Sequence, residues 1–450
     1  MVPRFTDKYL YIYEVHPLFV VFIYLDHTFY DSTMNGANSN FFIRFAQESI
    51  ARALVTNSAV LVVGPLGTGK SSLVRLFISK MGRYSTLEDE DALESARYDP
   101  TGFVRGLDSV IIDEVQRAPD LFLAIKLSIE DDPRPGRFLL TSSIDIAQMQ
   151  NLPESLAQRM EVITLLPISR AEIDGKKPSF LKAAFRGEFV TPPFTLIGND
   201  LVLNVVTGGY PELMRRKESR RKAWARDYVK ALLRRDVREI SGVEKLDRLP
   251  RLLESLATHS GKLTNFSHIG SELEIDDKTT QKYMAVLEQL FLIHRVPAWF
   301  QSGLSRLVKT SKLHFLDSGF HAAMLGLSPE KVARNRHAFG ALLRTFVLSE
   351  IMKQAIWSEE IYTINHYRDK DQDEVEFLVE DETGALVGID VKPAATVYTT
   401  DFKGLRKIQS NCGEDLKLGV VLYDGTKTVA FGDRLFAAPV SCLWGGESVS

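Results

Sequence analysis

Five strand-like runs, separated by stretches of helical spacing, organise the first half of the chain. Ala59-Val60-Leu61-Val62-Val63 has no polar position, which predicts a strand buried on both faces. Tyr84 to Leu87, Ser109 to Ile112, Arg137 to Ser143 and Met160 to Leu166 follow as further strands. Phe41 to Val55 and Ser72 to Lys80 carry helical spacing around the first run. Strands alternating with helices predict a parallel α/β sheet covered on both faces. After Gly208-Gly209-Tyr210-Pro211 the pattern becomes helical, and between residues 215 and 238 eleven Lys/Arg face three acids, interleaved with Trp224, Tyr228, Val229 and Leu232-Leu233. From about residue 306 short strands return. There Val375, Phe377 and Val379 are expected on one face and Glu374 and Glu376 on the other, with Leu386 to Lys392 as the hairpin partner across the turn Asp381–Gly384.

At 450 residues, 45% apolar and 25% charged, the chain is globular and too long for one ordinary core. A net charge of −3 confines any nucleic-acid contact to a local basic face. The two cysteines, Cys412 and Cys442, fit no metal or redox spacing, which accords with a reducing, cytoplasmic setting. The apolar run Pro17–Leu25 is too short for a membrane helix and lacks the flanks of a secretory signal. It reads as a strand-like or poorly ordered extension, or as a peripheral contact, followed by a polar linker at residues 31–40.

Gly64-Pro65-Leu66-Gly67-Thr68-Gly69-Lys70-Ser71 has the spacing of a phosphate-binding loop between a strand and a helix. The backbone from Gly64 through Ser72 is expected around the phosphates, with Lys70 at the β/γ-phosphates and Ser71 on Mg²⁺, which makes ATP and Mg²⁺ the expected ligands. The run Ser109–Ile112 ends in Asp113 and Glu114. Asp113 is placed on the metal and Glu114 on the attacking water. Hydroxyls at Thr141, Ser142 and Ser143 stand where a γ-phosphate could be sensed. Arg159 and Arg117 are candidates for transition-state charge or for surface ion pairs.

Two readings stand for the basic segment 215–238: a lid whose arginines meet nucleotide phosphates or a neighbouring subunit, or a patch for DNA phosphates. Asn265 to Ile293 reads as a helix-turn-helix inside a winged-helix module. Asp276 can cap its second helix. Only Lys278 to Lys282 could reach DNA, and Glu272, Glu274, Asp276 and Asp277 around them make that field unfavourable, so a protein-packing role for the module stands beside the DNA reading.

Five stretches together resemble the AAA+-like P-loop ATPases that carry a C-terminal domain of unknown function, DUF4143. They are Ile112–Phe122 (IDEVQRAPDLF), Pro135–Thr141, Glu154–Arg159 (ESLAQR), Gly208–Glu212 (GGYPE) and Tyr367–Asp371 (YRDKD). The chain departs from that pattern at Leu66-Gly67-Thr68, where Arg-Gln-Val is frequent, and at Thr141-Ser142-Ser143, where Thr-Gly-Ser is usual. The last hairpin resembles a PD-(D/E)XK nuclease core, which implies Glu350 as helix acid, Glu376 as strand acid and Asp390-Val391-Lys392 as acid-x-Lys. Asp is usual where Glu376 stands, and Glu where Asp390 stands.

The expected fold class is therefore α/β, with an extension at residues 1–39 and a P-loop ATPase sheet at 40–200. A helical lid with a winged-helix-like module occupies 201–300, and a nuclease-like α/β domain 301–450. The expected activity is Mg²⁺-dependent ATP hydrolysis coupled to domain rearrangement. A STAND-like switch with an inert nuclease-like domain, an ATP-driven nuclease, a protein partner and a homo-oligomer remain open.

Overall fold

The computed structural model describes residues 42–145, 153–188, 195–237, 247–300 and 308–448. The chain divides into Met1–Phe42 and Ile43–Ser450, and the description concerns the second unit. The expectations for the N-terminal run and its linker lie outside the described residues.

Strands β1 (Ala59–Val63), β2 (Tyr84–Thr86), β3 (Val110–Asp113), β4 (Phe138–Ser142) and β5 (Met160–Thr164) form a parallel sheet in the order β2-β3-β4-β1-β5. Every residue of β1, β3 and β4 is buried, as uninterrupted apolar runs require of strands covered on both faces. The order has one consequence for chemistry. The strand β4 lies between β1 and β3, so the hydroxyls at its C-terminal end stand between the glycine loop and the two acids.

Helix Glu218–Arg235 packs Ala225, Tyr228, Val229, Leu232 and Leu233 inward, and Lys222, Arg226, Lys230 and Arg234 line its exposed face. Strand β6 (Lys176–Pro178) precedes this helix and pairs antiparallel with the chain's final strand. Helices Arg248–His259, Phe266–Glu272 and Asp277–Gln289 follow, with Asp276 accepting from the Thr279 amide at 3.0 Å as the cap of the third. They pack with β7 (Lys262–Leu263), β8 (Ile293–Val296) and β9 (Lys312–Phe315), ordered β7-β9-β8. Because β8 pairs with β9, the domain break expected at residue 300 falls inside a hairpin.

The last third is a mixed sheet of β10 (Tyr362–Arg368), β11 (Glu374–Asp381), β12 (Leu386–Lys392), β13 (Leu416–Tyr423), β14 (Val429–Gly432) and β15 (Leu435–Pro439). The strand that meets β6 is β16 (Gly446–Ser448). Alternation along β11 departs from the sequence expectation. Phe377 and Val379 join one core, whereas Val375 packs with Leu378 in another. The cause is local: β10 and β11 slip register between Asn365 and Tyr367, and the Glu376 amide donates to the Asp390 carboxylate instead of a ladder carbonyl.

Helix Arg336–Trp357 runs about 33 Å through the middle of the unit. Its Phe339, Leu343, Val347 and Ile351 pack with β11 and β12, and Met352 and Ile356 reach the core of the first sheet. It is therefore buried on several sides rather than amphipathic. Among the described residues no helix is long and apolar enough to cross a membrane.

Candidate functional site

The turn after β1 requires glycine. Gly64, Gly67 and Gly69 have φ of 152°, 78° and 94°, and a Cβ at Gly64 would stand 2.2 Å from the Leu165 carbonyl oxygen. At Gly67 and Gly69 a Cβ would project into open space, so these backbone groups are accessible to a ligand. Lys70 begins helix Lys70–Arg75 and is 3% exposed, donating to the carbonyls of Gly64 at 2.8 Å and Pro65 at 2.9 Å. Burial pulls its pKa down, against the attraction of Glu114, Asp236 and Asp113. Ser71 is half-buried and Ser72 exposed at the start of the same helix.

Residues far away in sequence brace this loop. Arg44, buried, donates to Thr68 O at 2.7 Å and Leu166 O at 2.6 Å and pairs with Glu172 at 3.0 Å. The Tyr228 hydroxyl, from the basic helix, donates to Leu66 O at 2.9 Å.

The acids lie at the C-terminal end of β3. Asp113 accepts from the hydroxyls of Tyr84, at 2.7 Å, and Thr141. Glu114 takes φ 63°, a left-handed conformation that turns its carboxylate off the strand line. Its amide donates to Thr141 Oγ1 at 2.9 Å, and its Oε2 accepts from Gln116 at 2.6 Å and from Ser143 at 3.1 Å. Arg235, the last residue of the basic helix, forms an ion pair with the same oxygen and reaches Glu88 at 2.6 Å. Burial alone would raise the Glu114 pKa, but Lys70 and Arg235 outweigh it and hold the carboxyl below its usual range. Neighbouring Asp236 is pushed up to about 6 by burial.

Arg159 stands elsewhere. It is exposed, and its carbonyl accepts from the Ala59 amide at the start of β1, about 16 Å of strand from the glycine loop. The parallel register of β1 and β5 sets this distance, so Arg159 cannot serve the nucleotide loop of its own chain. Arg117 donates to Leu87 O and holds a loop together. Sequence reading missed Arg44, Gln116 and, as individual residues, Tyr228 and Arg235. The basic helix gave a signal for the last two, but no spacing rule marks which of its residues turn inward.

The nuclease-like constellation is brought together only in part: Glu376 and Asp390 are neighbours, and Glu350 stands apart from them. Among the described residues, Glu350, Glu376 and Asp390 do not form a group with ligand atoms within 4.8 Å of one another. Glu350, 2% exposed, accepts from Lys353 at 2.8 Å and from the Arg170 amide at 3.1 Å, at the seam with the first sheet. Lys392 is bound by Asp401 and lies over the Tyr398 ring. Glu376 faces cations from other elements: Lys312 of β9 at 3.0 Å and Arg344 of the long helix at 3.4 Å, with His314 at 3.6 Å. The Lys312 ammonium also lies 3.6 Å from Glu374. Burial pushes Asp390 up to about 7, aided by Glu376 and opposed by the Glu376 amide and Lys312. A buried ammonium thus lies against Glu376 and Glu374.

Residues 56–174 match the family model described as an AAA domain, 199–331 a domain of unknown function (DUF8612), and 339–443 a domain of unknown function (DUF4143). Curated relatives include the uncharacterized proteins Rv2008c of Mycobacterium tuberculosis and Mb2031c of Mycobacterium bovis. Each is 24% identical over 400 residues, covering 88% of this chain and 83% of the relative. Among solved structures, the Walker-type ATPase PABY2304 of Pyrococcus abyssi is 14% identical with a TM-score of 0.39, covering 63% of this chain and 96% of that one. AMPPCP-bound DnaA from Aquifex aeolicus is 16% identical with a TM-score of 0.28, covering 55% and 90%. The chain therefore carries an AAA domain at residues 56–174 and a DUF4143 domain at 339–443, the two modules that its motifs imply.

Proposed function

We propose that the chain is a Mg²⁺-dependent ATPase that couples the state of its nucleotide site to the helical module through the basic lid helix. The observation that carries this reading is one cluster at the C-terminal edge of the first sheet. Lys70, Asp113, Glu114, Thr141, Ser143 and Arg235 all take part in it, from four separate elements. The residues suit the ligand: a loop with open glycine positions, an ammonium at its centre and a hydroxyl one residue on. Amides from Leu66 through Ser72 bind the phosphates, since Pro65 has no N–H and the Gly64 amide is given to Ser142 O, and Lys70 offsets their charge. Ser71 and Asp113 would hold Mg²⁺, which neutralises charge on the β/γ-phosphates when bound. Glu114, kept ionised by its two cations, accepts the proton of the attacking water. Arg235 answers both to Glu114 and to phosphate charge, so what occupies the loop shifts the end of helix Glu218–Arg235. The C-terminal domain then acts as an inert scaffold in a STAND-like switch, because Lys312 occupies its acids and Lys392 is engaged by Asp401.

Purified protein is expected to hydrolyse ATP only with Mg²⁺. Glu114→Gln should retain ATP binding while turnover falls 10²–10⁴-fold, the range of a lost general base. Lys70→Ala turning over at the parental rate would overturn the assignment.

A second reading is favoured by one observation. Lys222, Arg226, Lys230 and Arg234 are all exposed at intervals of four, a cationic stripe that suits DNA phosphates. DNA affinity that falls steeply with salt, and more gently in a Lys230→Gln/Arg234→Gln variant, supports it. Salt-independent or absent binding removes it. Arg159, exposed at the opposite edge, could serve a nucleotide only in a second copy of the chain, under conditions that favour a cytoplasmic homo-oligomer.

A further inference from the structure

We propose that His259, His268 and Glu272 form a binding site for a Zn²⁺-type cation, distinct from the nucleotide site and independent of the reading given for it. His259 ends helix Arg248–His259, and His268 and Glu272 lie one turn apart on helix Phe266–Glu272. Their ligand atoms all lie within 4.8 Å of one another. Glu272 Oε1 is 3.6 Å from His268 Nε2 and 3.9 Å from His259 Nε2. Both separations are too long for hydrogen bonds, so direct bonding does not account for the convergence. They approach the roughly 3.3 Å that separates ligand atoms about 2.0–2.1 Å from a tetrahedral Zn²⁺.

The surroundings prepare each donor. His259 Nδ1 lies 3.0 Å from the Ser255 carbonyl, which can only accept, so the proton sits on Nδ1 and the Nε2 lone pair faces the cluster. Ser255 Oγ donates to Glu272 Oε2 at 2.5 Å, leaving Oε1 turned toward the two imidazoles. The imidazole rings stand 5.4 Å apart at 72°, so both can direct nitrogens to one point. Such outer contacts fix tautomer and orientation in metal sites. The helices are also held relative to each other from the far side, where Arg248 donates to Leu273 O at 2.6 Å and Leu252, Leu256 and Ile269 share a core.

Two imidazoles and one carboxylate select Zn²⁺ over Mg²⁺, which demands oxygen ligands. His268 and Glu272 are exposed, with side chains 59% and 39% accessible, so a fourth position stays open to water or an incoming ligand. A cation here would staple the first two helices of the module that precedes helix Asp277–Gln289.

The test uses the full chain with excess Mg²⁺ present, titrated with Zn²⁺ alone and, in parallel, with Co²⁺ as a spectroscopic probe. One equivalent should bind, give four-coordinate Co²⁺ bands and raise the thermal midpoint. His268→Ala and Glu272→Gln should each lose at least tenfold in affinity and show no midpoint shift. Ser255→Ala should bind ten- to a hundredfold more weakly, the penalty of a lost outer contact. Midpoints without metal establish that the variants fold. Equal Zn²⁺ binding by the parent and His268→Ala, or no stoichiometric binding by the parent, would overturn the proposal.

Discussion

Glu350 and Lys353 provide a quantitative test of how the two α/β sheets are joined. They lie one turn apart on helix Arg336–Trp357, 2% and 3% exposed, with Lys353 also donating to Ile168 O at 3.3 Å and Glu350 accepting from the Arg170 amide. Burial pushes the Glu350 carboxyl up, and Lys353 opposes it. Lys353→Met keeps length and apolar contact but leaves the carboxylate with one amide donor, a loss of about 3–5 kcal/mol for breaking a buried pair. Glu350→Gln alone strands the ammonium and should cost a similar amount. The double variant carries no buried charge, and its glutamine oxygen can still accept from Arg170. It should therefore recover at least half of either single loss. Urea unfolding followed by fluorescence reads the joint directly, since Trp357 ends this helix and Trp444 packs on Phe346 at 5.9 Å. The ranking of midpoints carries the result whether or not the chain unfolds in one step. Single losses that simply add in the double variant would refute the pairing. So would a Lys353→Met midpoint equal to the parent's, which would mean that water reaches both groups.

Tyr228→Phe removes the hydroxyl that braces Leu66 O, about 1 kcal/mol, so the ATP dissociation constant should rise roughly fivefold with the fold retained. An unchanged constant in a calorimetric titration would detach the lid helix from the loop. Asp390, raised from 3.8 to about 7 by burial, binds more protons in the folded state between those values, so its contribution is lost as pH rises through that window. Asp390→Asn should match the parent near pH 4 and exceed it by up to about 4 kcal/mol at pH 8; a variant weaker at pH 8 than at pH 5 contradicts this. His321 runs the other way: burial lowers it from 6.5 to about 4, so stability present above pH 6.5 is lost as pH falls toward 4. His321→Gln should abolish up to about 3 kcal/mol of that acid loss, read as a flatter unfolding midpoint against pH, and an unaltered slope would exclude the histidine as its source.

What the sequence disclosed of the site follows from locality. Gly64 to Ser71 and the Asp113-Glu114 pair are contiguous, and their strand-to-helix context lies within a few residues of each. The position of β4 between them is a matter of strand order, which local alternation does not encode. Arg235 meets Glu114 across 121 positions, because helix Glu218–Arg235 folds back over the sheet edge on an apolar face that reads equally well as ordinary packing. Glu350 stands apart from Glu376 and Asp390 for the same reason. A helical glutamate near a charged hairpin suggested convergence, yet Glu350 turns to Lys353 and Arg170 while Lys312, on a strand of the preceding module, reaches Glu376. The slip at Glu376 was equally hidden, since it depends on Asp390 capturing a backbone amide.

The long helix Arg336–Trp357 supplies hydrophobic surface to the final sheet and, through Met352 and Ile356, to the core beneath the nucleotide loop. Cutting the gene ahead of the DUF4143 domain would leave the front half with an exposed apolar surface where those residues had rested. Recombination that exchanged one half for a foreign counterpart would face the same mismatch. The two halves therefore share one apolar seam, and separating them would expose it to water.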